Sequence, residues 1–204
     1  MSCQEKWNLN VKYLCILTLI TFISLFILKR NGEGIRGFIK SKSDNEKLPD
    51  LLHYYLPDLK DHYIYTEILF WCIIIGFIIF SFIKNKLCIW YQVLFLLVLF
   101  HFIKIICSII TILPDPSGIC KDKKTIGGCN ELMPSGHMST LLILLFCFWN
   151  FMDKKQQVLF TSIIGIYAIG IICVKNHYTI DIIMSFFVVY TLFHITLPYL
   201  INTC

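Results

Sequence analysis

Two histidines about forty residues apart, His137 and His177, and an aspartate four residues after the second, Asp181, are the residues whose types and spacing could do chemistry. In His177-Tyr178-Thr179-Ile180-Asp181 the imidazole and the carboxylate share a helix face if the helix begins early enough. A carboxylate so placed fixes the tautomer of the ring and stabilises its protonated form, as a nucleophilic or general-base histidine requires. Pro134-Ser135-Gly136-His137 supplies the complement. The proline breaks the preceding chain, Ser135 can cap a new helix, and Gly136 lets the backbone approach a ligand closely. Exposed amides at such a helix start favour an anion, phosphate above all, and His137 beside it can act as a general acid. Each motif also has a plainer reading. Asp181 can simply cap a helix dipole, and Ser135-Gly136-His137 can be a helix cap followed by an interfacial histidine.

The elements that must position these residues are membrane helices. The 204 residues are 57% hydrophobic, with a mean hydropathy of +0.71, more apolar surface than a soluble domain of this size could bury. The apolar runs are continuous rather than alternating, and several approach the ~20 residues a helix needs to cross ~30 Å of hydrocarbon. The expectation is an all-α integral membrane protein, a bundle of about six transmembrane helices over residues 13–28, 64–83, 87–113, 138–152, 158–174 and 178–201. A five-span reading stays open because the fourth run is short. Residues 1–47 would hold the first span and a polar loop, and residues 48–204 the membrane domain that carries the site. With short loops, the second, fourth and sixth spans all begin on one face, which brings Glu67, His137, His177 and Asp181 together.

Ionisable groups inside spans are functional candidates by default. Of thirteen acidic residues, only Glu67 and Asp181 fall within these spans. Lys104 lies well inside the third and could snorkel or bind phosphate, the second being the reading preferred. His53 and His62 read as loop residues, and His101 and His194 as packing histidines. The repeated Leu48-Pro49-Asp50-Leu51 and Leu56-Pro57-Asp58-Leu59 should lie on the membrane surface and cap the bundle.

The eighteen Lys and Arg residues give a net charge of +5 and sit mostly at span ends, which argues against nucleic acid as a partner. Lys84, Lys86, Lys154 and Lys155 place their loops in the cytoplasm by the positive-inside tendency, and hence the histidines on the lumenal or extracellular face. Six of the ten cysteines lie in or beside spans as packing residues. Cys120 and Cys129 share a polar loop where a disulfide is possible. No spacing matches a zinc site, and no metal or other cofactor is expected.

Ser135-Gly136-His137 followed by His177-Tyr178-Thr179-Ile180-Asp181 resembles the sphingomyelin synthase family of the wider lipid phosphatase superfamily. Leu48-Pro49-Asp50, Glu67, Leu113-Pro114-Asp115-Pro116 and Cys129-Asn130-Glu131 are similar, in order, to further elements of that family. The resemblance implies a six-helix bundle in the Golgi, endoplasmic reticulum or plasma membrane, with its site on the lumenal or extracellular side. It also implies roles. His177, oriented by Asp181, would attack the phosphorus of a phospholipid to form a phospho-histidine, while His137 protonates the departing diacylglycerol. Ceramide would then accept the head group, phosphocholine or phosphoethanolamine. Ser135, Gly136, Glu67, Glu131 and Lys104 would bind substrate, with an acidic Glu67 or Glu131 favouring a cationic head group. Asn130-Glu131, Lys104 and Thr191 depart from the family's usual Gly-Asp, Arg and Arg.

Two other functions are compatible with these residues. A lipid phosphate phosphatase would use the same histidines with water as acceptor. However, no Arg follows Arg36, so a doubly charged phosphomonoester would lack its usual clamp. A non-catalytic lipid-binding membrane protein could also retain the motif. The sequence sets no oligomeric state.

Overall fold

Long apolar runs free of interior proline and charge form helices because each backbone group then finds its partner within the segment, a requirement that hydrocarbon enforces. The computed structural model describes residues 48–86, 89–111 and 133–200, residues 15–24, and scattered positions between 12 and 30 and at 113 and 116. Every described element is helical. In chain order they are α1 (Cys15–Ser24), α2 (Leu51–Tyr55), α3 (Tyr63–Ile83), α4 (Ile89–Ile110), α5 (Gly136–Phe148), α6 (Lys154–Cys173) and α7 (Thr179–Leu200). Short 3-10 turns precede α3, at Lys60–His62, and follow α5, at Trp149–Phe151.

The protein is an all-α membrane bundle. Among the described residues four helices are long and apolar enough to span: Lys60–Ile83, Ile89–Ser108, Lys154–Cys173 and Thr179–Thr196. The expected fourth span, 138–152, differs from what forms. α5 begins two residues earlier, is only 13 residues long and ends in the 3-10 turn. At about 1.5 Å per residue it covers roughly 20 Å, short of the hydrocarbon thickness. Its position explains why this is tolerated: α5 packs against α3, α4, α6 and α7, and most of its side chains are buried. A helix jacketed by others has its ends satisfied by protein, so its length need not match the bilayer. The spanning helices instead turn large apolar side chains outward, among them Trp71, Phe82, Phe102 and Phe187.

Topology then sets the two ends. Lys86 at the α3–α4 turn lies 5.1 Å from the ring of Phe151 at the end of α5, and Trp90 donates to Ser81 across the same turn. The starts of α3, α5 and α7 and the end of α6 gather at the opposite end, where Leu59 N–H donates to the Cys173 carbonyl. Both lysine turns are therefore remote from the histidines, as the order of spans predicts.

Candidate active site

Ser135 caps α5 in an extended conformation, its hydroxyl accepting from Met138 N–H at 3.4 Å. This cap is tied to α7. Ser135 N–H donates to the Asp181 carbonyl, and the buried Ser185 hydroxyl bridges the carbonyls of Ser135 and Asp181. The starts of α5 and α7, each carrying a catalytic candidate, are thus fixed to each other by hydrogen bonds rather than by apolar packing alone.

His177 stands in the turn between α6 and α7, with Nδ1 3.4 Å from Asp181 Oδ2. That carboxylate oxygen also accepts from Tyr178 N–H at 2.9 Å. Asp181 is fully buried, and among the described residues neither its Oδ1 nor His177 Nδ1 makes a hydrogen bond. Buried polar atoms left in this state are rare and need an explanation. A dyad that tightens when the imidazole becomes charged supplies one. With Nδ1 facing the carboxylate, Nε2 is the nitrogen available for attack.

On α5, His137 is a third exposed, with Nε2 3.6 Å from Glu67 Oε2 and its ring edge-on to Phe70, centroids 4.6 Å apart. Glu67 is therefore placed to orient the second histidine as Asp181 orients the first. Lys104, nearly buried, donates from Nζ to the Pro134 carbonyl at 2.7 Å. A Cβ on Gly136 would lie 3.9 Å from that Nζ, so the ammonium sits beside the first amides of α5. A cation at the positive end of a helix is unfavourable by itself and favourable once an anion joins it. That geometry suits a phosphate group. Glu131, Cys120 and Cys129 lie outside the described residues.

Burial drives the pKa of His177 below its usual range, assisted by the charges of Lys104 and His137, and the Asp181 carboxylate only partly offsets this. A nucleophilic imidazole must be neutral, so this shift enlarges the pH range in which His177 can attack. The acid limb of kcat/KM should accordingly fall below the ordinary imidazole pKa of about 6.5. A pH–rate profile of the purified protein tests this, and a limb at or above that value would contradict it.

Sequence reasoning missed what holds the His177 turn. Asp50 caps α2 through Leu52 and His53 N–H, and also accepts from the N–H and hydroxyl of Thr179 at 2.6 and 2.7 Å. His53 Nε2 lies 3.0 Å from the His177 carbonyl, and Leu48 N–H donates to the Tyr178 hydroxyl. The second copy of the repeat grips the end of α6: Asp58 pairs with Lys175 at 2.8 Å, while Leu59 holds the Cys173 carbonyl. Lys175 has φ 56°, a left-handed position at a helix C-terminus that glycine usually fills. The repeat is thus a two-point strap across the turn, and its recurrence was the sequence signal.

Burial disfavours the charged Asp50, but the bonds from Thr179 and His53 outweigh it and hold its pKa below the usual carboxylate range. Its stabilisation is present above the ordinary carboxylate pKa and is lost as pH falls through the lowered folded value. Replacing Asp50 with Ala should cost about 2–3 kcal/mol through the lost cap and charged hydrogen bonds. Thermal unfolding in detergent reads this, and an unchanged midpoint would show that the strap carries no stability.

Residues 128–197, which contain both histidines and Asp181, match the family described as PAP2 superfamily C-terminal. That segment is PAP2-like. The chain is also 25% identical over 190 residues to phosphatidylinositol:ceramide inositolphosphotransferase 2 of Arabidopsis thaliana, an alignment covering 78% of this chain and 62% of that protein. The matched PAP2-like segment begins before the α5 cap and runs through most of α7. Glu67, Lys104 and the 48–59 strap, which complete the site in space, lie upstream of it.

Proposed function

We propose that this protein is an enzyme that transfers a phosphate-containing head group from a glycerophospholipid to ceramide. The observation that carries the reading is the pairing of each histidine with its own carboxylate, His177 with Asp181 and His137 with Glu67, beside a helix start and an ammonium suited to phosphate. The likeness to a sphingolipid head-group transferase supports the choice of lipid acceptor.

His177 Nε2 attacks the phosphorus, and the bond from phosphorus to the diacylglycerol oxygen breaks. Protonated His137 gives its proton to that oxygen, so neutral diacylglycerol leaves and a phospho-histidine remains. Neutral His137 then takes the proton of the ceramide hydroxyl, whose oxygen attacks phosphorus and breaks the P–N bond. Both histidines return to their starting states. Lys104 and the amides at the start of α5 would stabilise the phosphate oxygens throughout.

A phosphodiester carries one negative charge, which the Lys104 ammonium beside the start of α5 can help to meet, whereas a phosphomonoester carries close to two. This favours transfer over hydrolysis. Phosphocholine and phosphoethanolamine are the head groups proposed, with the active site on the lumenal or extracellular face and the lysine turns in the cytoplasm. The donor in the plant relative's name is phosphatidylinositol, so it belongs in the assay.

The test expresses the protein in cells lacking sphingomyelin synthase and supplies labelled ceramide with phosphatidylcholine, phosphatidylethanolamine and phosphatidylinositol in turn. The expected result is a labelled phosphosphingolipid, absent from a His177→Ala control. Phosphate released from phosphatidic acid without transfer would establish a phosphatase instead. Neither signal from folded protein would favour a non-catalytic lipid-binding role.

A further inference from the structure

An apolar groove opens on the outer side of α5, between α6 and α7. Its floor is one face of α5, from the buried Met138 and Leu142 down to Phe146 and Trp149, and its walls include Gly165 of α6 and Phe186 of α7. Among the described residues no charged side chain lines it, and its volume is about 280 Å³. From Met138 to Trp149 the floor runs about 16 Å along the helix.

The three helices that form the groove begin or end next to the two histidines. Met138 follows His137 directly, and the turn bearing His177 joins the two wall helices. The groove therefore starts beside the site and descends away from it. Its volume limits what can enter. At about 280 Å³ and with an apolar lining, the groove suits a single hydrocarbon chain.

We propose that this groove holds one acyl chain of the donor glycerophospholipid and thereby sets its phosphorus between His137 and His177. The proposal rests on the head-group chemistry proposed above. A chain already surrounded by lipid gains no hydrophobic driving force from entering. The groove therefore acts by orienting the substrate, and orientation is where a small misplacement costs most in rate.

Gly165 makes this testable. A Cβ there meets no atom within 4 Å, so leucine fits the fold yet fills the groove, whereas Gly76 of α3 is equally open and does not line it. With the donor that proves active, Gly165→Leu should lower kcat/KM for a dipalmitoyl lipid about tenfold. It should leave a dihexanoyl lipid unaffected, and Gly76→Leu should change neither. An equal fall for both chain lengths, no fall, or a dependence on the ceramide chain instead of the donor chain would overturn the proposal.

A second measurement needs no turnover and so separates this idea from the functional reading. A phosphatidylcholine with a diazirine at the chain terminus should photolabel the peptide containing Phe146 and Trp149 in His177→Ala protein. The label should fall several-fold when Gly165→Leu is added. Equal labelling would refute the groove even if the enzyme is active, whereas loss of label in a protein inactive on every lipid would leave the groove standing and remove the proposed reaction.

Discussion

Replacing His177 with alanine should lower head-group transfer by at least about 10⁴-fold, the scale seen when a covalent nucleophile is removed. No other described side chain can take its place in that geometry, because the turn is fixed from both sides by Asp50, His53 and Asp58. The backbone carbonyl that His53 contacts survives the substitution, so the fold should hold. Two readouts make the result specific. Labelled donor should leave a covalent phosphoryl group on the wild-type protein and none on the variant, and the unfolding midpoint should move by only a few degrees. Activity within tenfold of wild type in a folded variant would remove His177 as the nucleophile and with it the proposed mechanism.

Substituting Asp181 with asparagine should lower kcat by about 10³ to 10⁴ while changing KM little, by analogy with other histidine–carboxylate dyads. The amide keeps the size of the carboxylate, and its oxygen can still accept from Tyr178 N–H, which preserves the start of α7. It cannot stabilise an imidazolium, and its NH₂ favours the wrong tautomer of His177. Loss of the carboxylate also removes the one influence that raises the His177 pKa, so the acid limb of the pH profile should move further down. A purely structural Asp181 would instead lose stability with an unshifted limb. Asp181→Ala is the less informative variant because it leaves the buried Tyr178 N–H without its acceptor.

The helices were legible because hydrocarbon leaves a chain few choices. A continuous apolar run must be a helix or part of a barrel, and α3, α4, α6 and α7 appear within a few residues of their expected limits. α5 was the least legible, since a helix enclosed by others is shaped by its neighbours and not by bilayer thickness. The dyad was readable for a similar reason of locality: His177 and Asp181 are four residues apart, and one helical turn suffices to bring them near each other. Ser135 at the α5 cap was readable from residue type, since its hydroxyl can accept an orphan amide.

The repeat was visible but the strap's contacts were not readable, because they join residues 114 to 130 positions apart, and no local pattern pairs Asp50 with Thr179 or His53 with the His177 carbonyl. The same holds for Lys104 beneath the Pro134 carbonyl, whereas the order of spans alone brought Glu67 to the face that carries His137. The sequence by itself determined that the chain is a helical membrane protein with a histidine–aspartate pair and a capped, anion-ready helix start. These follow from hydropathy, spacing and residue type, all local properties. Only the tertiary structure decided which carboxylate faces His137, where the buried ammonium sits, what clamps the His177 turn and where a groove opens, because each depends on how separate helices pack and which of their ends meet.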